Sequence, residues 1–191
     1  MPPATGFYGK IPSRGDFVRA GLPAGFVTAW DTWLQGVLPG ARDILGEAWN
    51  ACWMEAPVWR FSLPPGQCGA ERVIGLWMPS VDAAGRQFPL TVAMVLPNGA
   101  APEDEEAETW LAAAEDAGRD ALEFDLTPAA LSERLPAAPK LDAAPHDGEA
   151  VWRSAGSPWV RAVSFASATL PDASRFATML RDPPTATEDA A

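Results

Sequence analysis

Three runs decide how this chain folds: Val58-Trp59-Arg60-Phe61-Ser62-Leu63, Glu71-Arg72-Val73-Ile74-Gly75-Leu76-Trp77-Met78 and Phe88-Pro89-Leu90-Thr91-Val92-Ala93-Met94-Val95-Leu96. All three are rich in β-formers, and Pro/Gly turns separate them, so together they predict an antiparallel meander. Upstream, the sequence predicts a short strand over Phe7 to Ile11, a polar loop from Pro12 to Gly21, and two helices, Pro23 to Leu38 and Pro39 to Glu55. The pairs Phe26/Trp30, Trp30/Trp33/Leu34 and Trp49/Trp53 stand three or four apart, which stacks their rings along one helix face and assigns them to the core. Downstream, helices are expected over Pro102 to Glu123 and Pro128 to Leu135, then a Pro/Ala-rich loop from Pro136 to Gly148. A closing hairpin (Glu149 to Arg153, Trp159 to Phe165) and a last helix capped by Asp172 and ending near Arg181 complete the pattern. Helices and strands are interspersed rather than strictly alternating. The expected class is therefore α/β, a single-domain sandwich with a mixed, largely antiparallel sheet covered by helices, and not a doubly wound parallel sheet.

Composition narrows the function. The chain has 191 residues, 48% of them apolar, and carries 14 Lys plus Arg against 25 Asp plus Glu, a formal charge of -11. Such a balance repels nucleic acid and anionic membrane surfaces. No apolar run approaches the roughly 20 residues that span a bilayer, and the first residues, Met1-Pro2-Pro3-Ala4-Thr5-Gly6, lack the features of a cleaved signal, so a cytoplasmic protein without membrane insertion is expected. One domain over residues 1–182 and a mobile tail over 183–191 are expected. Cys52 and Cys68 are expected as free thiols. The single histidine, His146, lies in a turn-like stretch without a second imidazole or a nearby thiol, so neither a metal site nor an imidazole triad is expected.

Residues 1–96 hold seven basic and seven acidic residues, so the whole net charge falls on the rest of the chain. It is concentrated first at Pro102-Glu103-Asp104-Glu105-Glu106, where carboxylates suit the positive end of a helix dipole and a solvated face. The carboxylates from Glu103 to Glu108 are read as solvent-facing. Trp110 and Trp159 stand among polar residues, which raises an exposed aromatic interface for self-association as a further possibility.

Two stretches concentrate Gly, Pro and both signs of charge at strand ends: residues 6–17, with Lys10, Arg14 and Asp16, and residues 78–90, with Ser80, Asp82 and Arg86. One reading is functional, with Arg14 or Arg86 holding a carboxylate while Asp16 or Asp82 fixes each guanidinium. The other is architectural, with two turns pinned by Arg–Asp pairs and by side chains bonding their own backbone. Gly9-Lys10 is followed by Ile11 rather than Ser or Thr, which excludes a phosphate-binding P-loop. Arg14-Gly15-Asp16 matches an adhesion tripeptide only as a string. Ser80 lacks a nucleophile elbow. No complete catalytic set emerges, and no cofactor is expected.

At these stretches the sequence resembles the TagF/ImpM family, proteins encoded with bacterial type VI secretion systems. The residues that carry the resemblance are Gly6-Phe7-Tyr8-Gly9-Lys10-Ile11-Pro12, Arg14-Gly15-Asp16-Phe17, Gly21-Leu22-Pro23, Trp30-Asp31-Thr32-Trp33-Leu34 and Pro57-Val58-Trp59-Arg60-Phe61. Met78-Pro79-Ser80, Asp82, Gly85-Arg86 and Phe88-Pro89-Leu90 extend it, and Val151-Trp152, Phe176 and Met179-Leu180 match more loosely. The resemblance implies a three-layer α/β/α sandwich. It also implies a cytoplasmic, non-enzymatic, post-translational repressor of type VI secretion assembly that binds the forkhead-associated-domain scaffold protein. Some relatives carry a fused phosphatase domain, for which these 191 residues leave no room, so phosphatase activity is not expected. Lys10, Arg14, Asp16, Ser80, Asp82 and Arg86 are the motif positions offered as the partner-binding surface. The alternative is a small-anion or ligand pocket, or an enzyme site, between loops 6–17 and 78–90.

Overall fold

A computed structural model describes residues 2–144 and 148–183. The meander forms as expected: β3 (Trp59–Leu63), β4 (Arg72–Met78) and β5 (Leu90–Leu96) are consecutive antiparallel neighbours. Around them the two ends of the chain complete one seven-stranded sheet. β1 (Ala4–Gly9) pairs with β5, and the short β2 (Val18–Ala20) pairs with β1. On the other side β8 (Ala150–Ser154) pairs with β3, and β9 (Val163–Ser167) pairs with β8. The order is β2-β1-β5-β4-β3-β8-β9. Every pairing among the described residues is antiparallel, which corrects the expectation of a mixed sheet. A separate two-stranded piece joins β6 (Ala100–Ala101) to β7 (Asp142–Ala143).

Strand periodicity divides the core in two. On one face Trp59, Phe61, Leu63, Val73, Trp77 and Trp152 meet α1 (Ala24–Leu45), α2 (Trp49–Met54) and α5 (Ala173–Leu180). On the other, Ile74, Leu76, Met78, Leu90, Val92, Met94 and Leu96 meet α3 (Asp104–Glu123) and α4 (Pro128–Arg134). All seven residues of β5 are buried because β1 and β4 pair with its two edges and helices cover both of its faces. The result is the three-layer α/β/α arrangement. Trp30, fully buried, stacks on Phe26 with ring centroids 5.6 Å apart and lies 4.7 Å from Phe61 across the layer boundary. Its indole N–H donates to Thr91 at 2.8 Å.

Some boundaries differ from the sequence reading. The first strand begins at Ala4 and ends at Gly9, and β2 lies within the stretch expected to be loop. Pro39 does not separate two helices: α1 runs through it to Leu45, followed by a 3-10 turn at Gly46–Ala48. Pro39 and Gln35, whose carbonyl loses its N–H partner, both sit on the exposed side, so water takes the freed oxygen. Tertiary packing also holds the helix together there, since a Cβ on Gly40 would come within 2.7 Å of Ala173 Cβ on α5. Trp110 is buried under α3 at 3% exposure rather than on the surface, which removes it from any exposed aromatic interface. Trp159 is 37% exposed, with the Arg181 guanidinium 5.5 Å from its ring.

The remaining local signals hold. Asp172 caps α5 by accepting from the Arg175 N–H at 2.8 Å, and Asp104, Glu105 and Glu106 occupy the first turn of α3. Cys52 and Cys68 are free and buried, and burial pushes the Cys68 thiol up to about 12. His146 and the tail beyond Pro183 lie outside the described residues. Among the described residues no helix is long and apolar enough to cross a membrane.

Candidate functional site

Register brings the two motif loops together. Leu90 is opposite Gly9 on one side and opposite Met78 on the other, so the end of β1, the end of β4 and the start of β5 meet at one edge of the sandwich. The residue at the crossing has to be glycine. Gly9 adopts φ +141°, and a Cβ there would lie 2.0 Å from the Pro89 carbonyl oxygen.

Asp82 is the centre of the junction. Its side chain is fully buried and accepts from Lys10 Nζ at 2.9 Å and Arg86 Nε at 2.7 Å. Its second oxygen accepts the backbone N–H groups of Ala84 and Arg86, both at 2.9 Å. Burial pushes the Asp82 carboxyl up, but the Lys10 ammonium and the donors from Arg86 and Ala84 outweigh it and hold the group well below the usual carboxylate range. Asp82 is therefore an anion at neutral pH, locked to two cations.

The rest of the junction is backbone lacing. Ser80 Oγ donates to the Lys10 carbonyl at 2.7 Å, and the Ala83 N–H donates to the Arg14 carbonyl at 2.8 Å. Arg86 also donates through Nη2 to the Gly15 carbonyl. Beneath the loops, Trp53 Nε1 donates to the Ser80 carbonyl at 3.1 Å, while Gln87 Oε1 accepts from Arg42 and from Trp49. Gln87, Trp49 and Arg42 belong to this support, although sequence reasoning placed Trp49 only in the core. The signal available was that Gln87 sits inside the second motif stretch.

Of the six candidate residues, the structure thus gathers Lys10, Ser80, Asp82 and Arg86 into one network. Asp82 fixes Arg86 as expected. The pairing expected between Asp16 and Arg14 does not form: both are exposed, and neither side chain bonds another described residue. Arg86 spans from one loop to the other and does not point into a pocket between them. Ser80 is buried with its hydroxyl proton directed at a carbonyl, so it is not poised as a nucleophile. Among the described residues no group of three or more His, Cys, Asp or Glu is placed to hold a metal.

Outside the network a rim faces solvent. Phe17 is 46% exposed, stacks parallel on Tyr8 with ring centroids 5.6 Å apart, and meets Phe88 edge-on at 4.8 Å. Lys10 Nζ lies 5.2 Å from its ring centroid. Tyr8 in turn donates its hydroxyl to Asp31 on α1; burial and that carboxylate raise the phenol above its usual range. Ser13 donates to the Leu126 carbonyl at 2.7 Å, which ties the rim to the connection between α3 and α4. The rim of Arg14, Asp16, Phe17 and the outer part of Arg86 is thus mounted on a rigid base.

The comparisons agree with this architecture. A crystal structure of PA0076 from Pseudomonas aeruginosa PAO1 matches with a TM-score of 0.78 and 32% sequence identity, over 96% of this chain and 97% of that one. No match to a curated protein was found. The family model described as the TagF N-terminal domain, type VI secretion system-associated, matches residues 6–138, which include both motif loops and the strands between them. On that match the chain belongs to the TagF N-terminal domain family of type VI secretion system-associated proteins.

Proposed function

We propose that the protein is a cytoplasmic, non-enzymatic negative regulator of type VI secretion assembly that acts by binding the forkhead-associated-domain scaffold. The contact is made by the rim of Arg14, Asp16, Phe17 and the exposed side of Arg86. Family membership supports the connection to type VI secretion. The observation that carries the mode of action is the division of labour at the junction. The groups able to move protons or attack a substrate, Asp82, Lys10 and Ser80, are buried and bonded to one another or to backbone, whereas a half-exposed aromatic ring flanked by charged side chains is left facing solvent. A buried, internally neutralised network gives rigidity, and an exposed aromatic beside arginine gives the kind of anchor on which protein contacts concentrate.

The test is capture of the purified scaffold by the full chain at low salt. Wild type is expected to retain the scaffold. Arg14→Ala with Phe17→Ala is expected to weaken capture at least about tenfold, since aromatic and arginine anchors dominate such contacts. The Arg14 side chain bonds no other described residue, and its backbone bonds survive the substitution, so Arg14→Ala alone is expected to leave the melting temperature unchanged. Failure of the wild-type chain to retain the scaffold would overturn the proposal.

A further inference from the structure

Arg60 on β3 and Arg153 on β8 are directly opposite each other in an antiparallel pair, two like charges side by side on the sheet face that α3 crosses. Such a pairing is unfavourable unless something neutralises it. α3 does so with two glutamates. Glu115 accepts from Arg60 Nε and Nη2 at 3.2 and 2.9 Å through one oxygen, and from Arg119 Nε and Nη2 at 3.1 and 2.8 Å through the other. Glu108 accepts from Arg60 Nη1 at 3.1 Å and bonds Arg153 with its second oxygen. Glu108 remains 44% exposed, as the sequence reading expected, but is tied to two arginines as well.

The outcome is an alternating row, Arg119, Glu115, Arg60, Glu108, Arg153, that begins and ends on a cation. It carries one net positive charge in a chain whose total is -11. Burial, then the neighbouring Arg60 charge, lowers the Arg153 guanidinium, whereas burial pushes Glu115 up but its two arginines win and hold it low. Both ends line one half-open cleft of about 350 Å³, together with Arg60, the two glutamates, Val58 and Gly156. The Arg153 Nε and Nη1 and the Arg119 Nη1 have no partner among the described residues, and the two side chains are 43% and 59% exposed. Glu115 already accepts four hydrogen bonds, so it has no capacity left for these donors.

We propose that this cleft is an oxyanion site, in which a carboxylate or phosphate group is held by the free guanidinium donors of Arg119 and Arg153 that line it. Arginine forks suit planar or tetrahedral oxyanions. A single surplus charge in a strongly acidic protein suits a compact anion and disfavours a polyanion. The chemistry is the same whether the oxyanion is free or is carried on an acidic side chain of another protein. The site is separate from the motif loops, so its failure leaves the reading of those loops untouched.

Calorimetric titration of the full chain with inorganic phosphate, with succinate and with acetyl-Ala-Glu-Ala-amide tests it. Saturable binding of at least one probe is expected at concentrations up to about 10 mM. Binding of the free anions alone marks a small-molecule site, and binding of the peptide as well marks a site for an acidic side chain. Arg153→Gln and Arg119→Gln are each expected to weaken binding about tenfold, as loss of a charged hydrogen bond does. Glu108→Gln removes a competing acceptor and is expected to tighten it. Arg72→Gln, on the same sheet face but outside the cleft, is expected to have no effect. Arginine side-chain NMR on the wild-type chain gives a readout that needs no variant: the Arg153 and Arg119 N–H signals should move on titration. Absence of saturable binding for all three probes, unchanged binding in both arginine variants, or signals that move only at other arginines would each overturn the proposal.

Discussion

Lys10 Nζ lies 2.9 Å from Asp82 Oδ2, with the lysine side chain 10% and the aspartate side chain 0% exposed. The pair joins the residue that follows β1 to the turn between β4 and β5, two segments separated by about seventy positions in sequence. Charges so placed cannot be repaid by water, so each depends on the other and on the added donors of Arg86 and Ala84. The four motif residues gathered here set the shape of the rim beside them. What faces solvent is Arg14, Asp16 and Phe17.

Asp82→Asn is expected to lower the melting temperature by roughly 10 °C, because the amide turns a donor toward Lys10 or Arg86 and leaves a buried ammonium without its counter-ion. Adding Lys10→Met to Asp82→Asn should cost less than the sum of the two single changes. Thermal denaturation of the four proteins in the cycle measures this coupling, and strict additivity would show that the pair is not coupled.

Acid should act through the same residue. The folded carboxyl titrates below the unfolded one, so the unfolded chain binds more protons and stability rises with pH through this range. The contribution is fully present above the unfolded value of about 4 and is lost as pH falls toward the lower folded value. Melting temperatures of wild type between pH 5 and pH 3 are expected to fall more steeply than those of Asp82→Asn. Glu115, also held low in the folded state, keeps some slope in both proteins.

The legibility of this fold in its sequence follows from how local each signal is. The meander, the α3 stripe and the Asp172 cap were readable because the information lies within a few residues. β2 was not, because its three residues pair with β1 only after the loop 10–17 has turned the chain back. Pro39 misled for the opposite reason: its local helix-breaking tendency is outweighed by packing of α1 on α5 and by the exposure of the freed carbonyl. Trp110 misled because polar neighbours in sequence occupy the other face of its helix. At the site, Lys10, Asp82 and Arg86 were found as charge in glycine-rich loops, and the choice between architecture and contact needed burial. The Arg60–Arg153 opposition depends on β8 returning to pair with β3 from about ninety residues away, and nothing near Arg60 announces it.

Gly9→Ala is expected to destabilise the chain by about 2 kcal/mol or more, through a strained φ together with a backbone clash that no rotamer can relieve. The atom met is the Pro89 carbonyl oxygen, part of the main chain entering β5. Denaturant midpoints measure the cost. Gly15→Ala provides the comparison within the same motif, since a Cβ there meets nothing within 4 Å, and a shift equal to that of Gly9→Ala would contradict the account.

Thr91→Val isolates a polar side-chain contact that crosses the aromatic layer. Thr91 and Trp30 are both fully buried, and the indole N–H of Trp30 donates to the Thr91 hydroxyl at 2.8 Å. Valine keeps the β-branched shape that suits the central strand, so packing against Trp30 is retained and only the acceptor is lost. An unsatisfied buried N–H costs about 1–3 kcal/mol, which for a chain of this length lowers the melting temperature by roughly 5 °C. Thr91→Ser restores the acceptor but deletes a methyl group, and its loss should reflect the small cavity alone. A valine variant as stable as wild type would show that the bond contributes little, in line with the buried indole N–H groups of Trp77 and Trp152, which have no partner among the described residues. A changed near-ultraviolet circular dichroism spectrum would mark a reoriented aromatic layer, whereas a retained spectrum with a lowered midpoint identifies the lost bond as the cause.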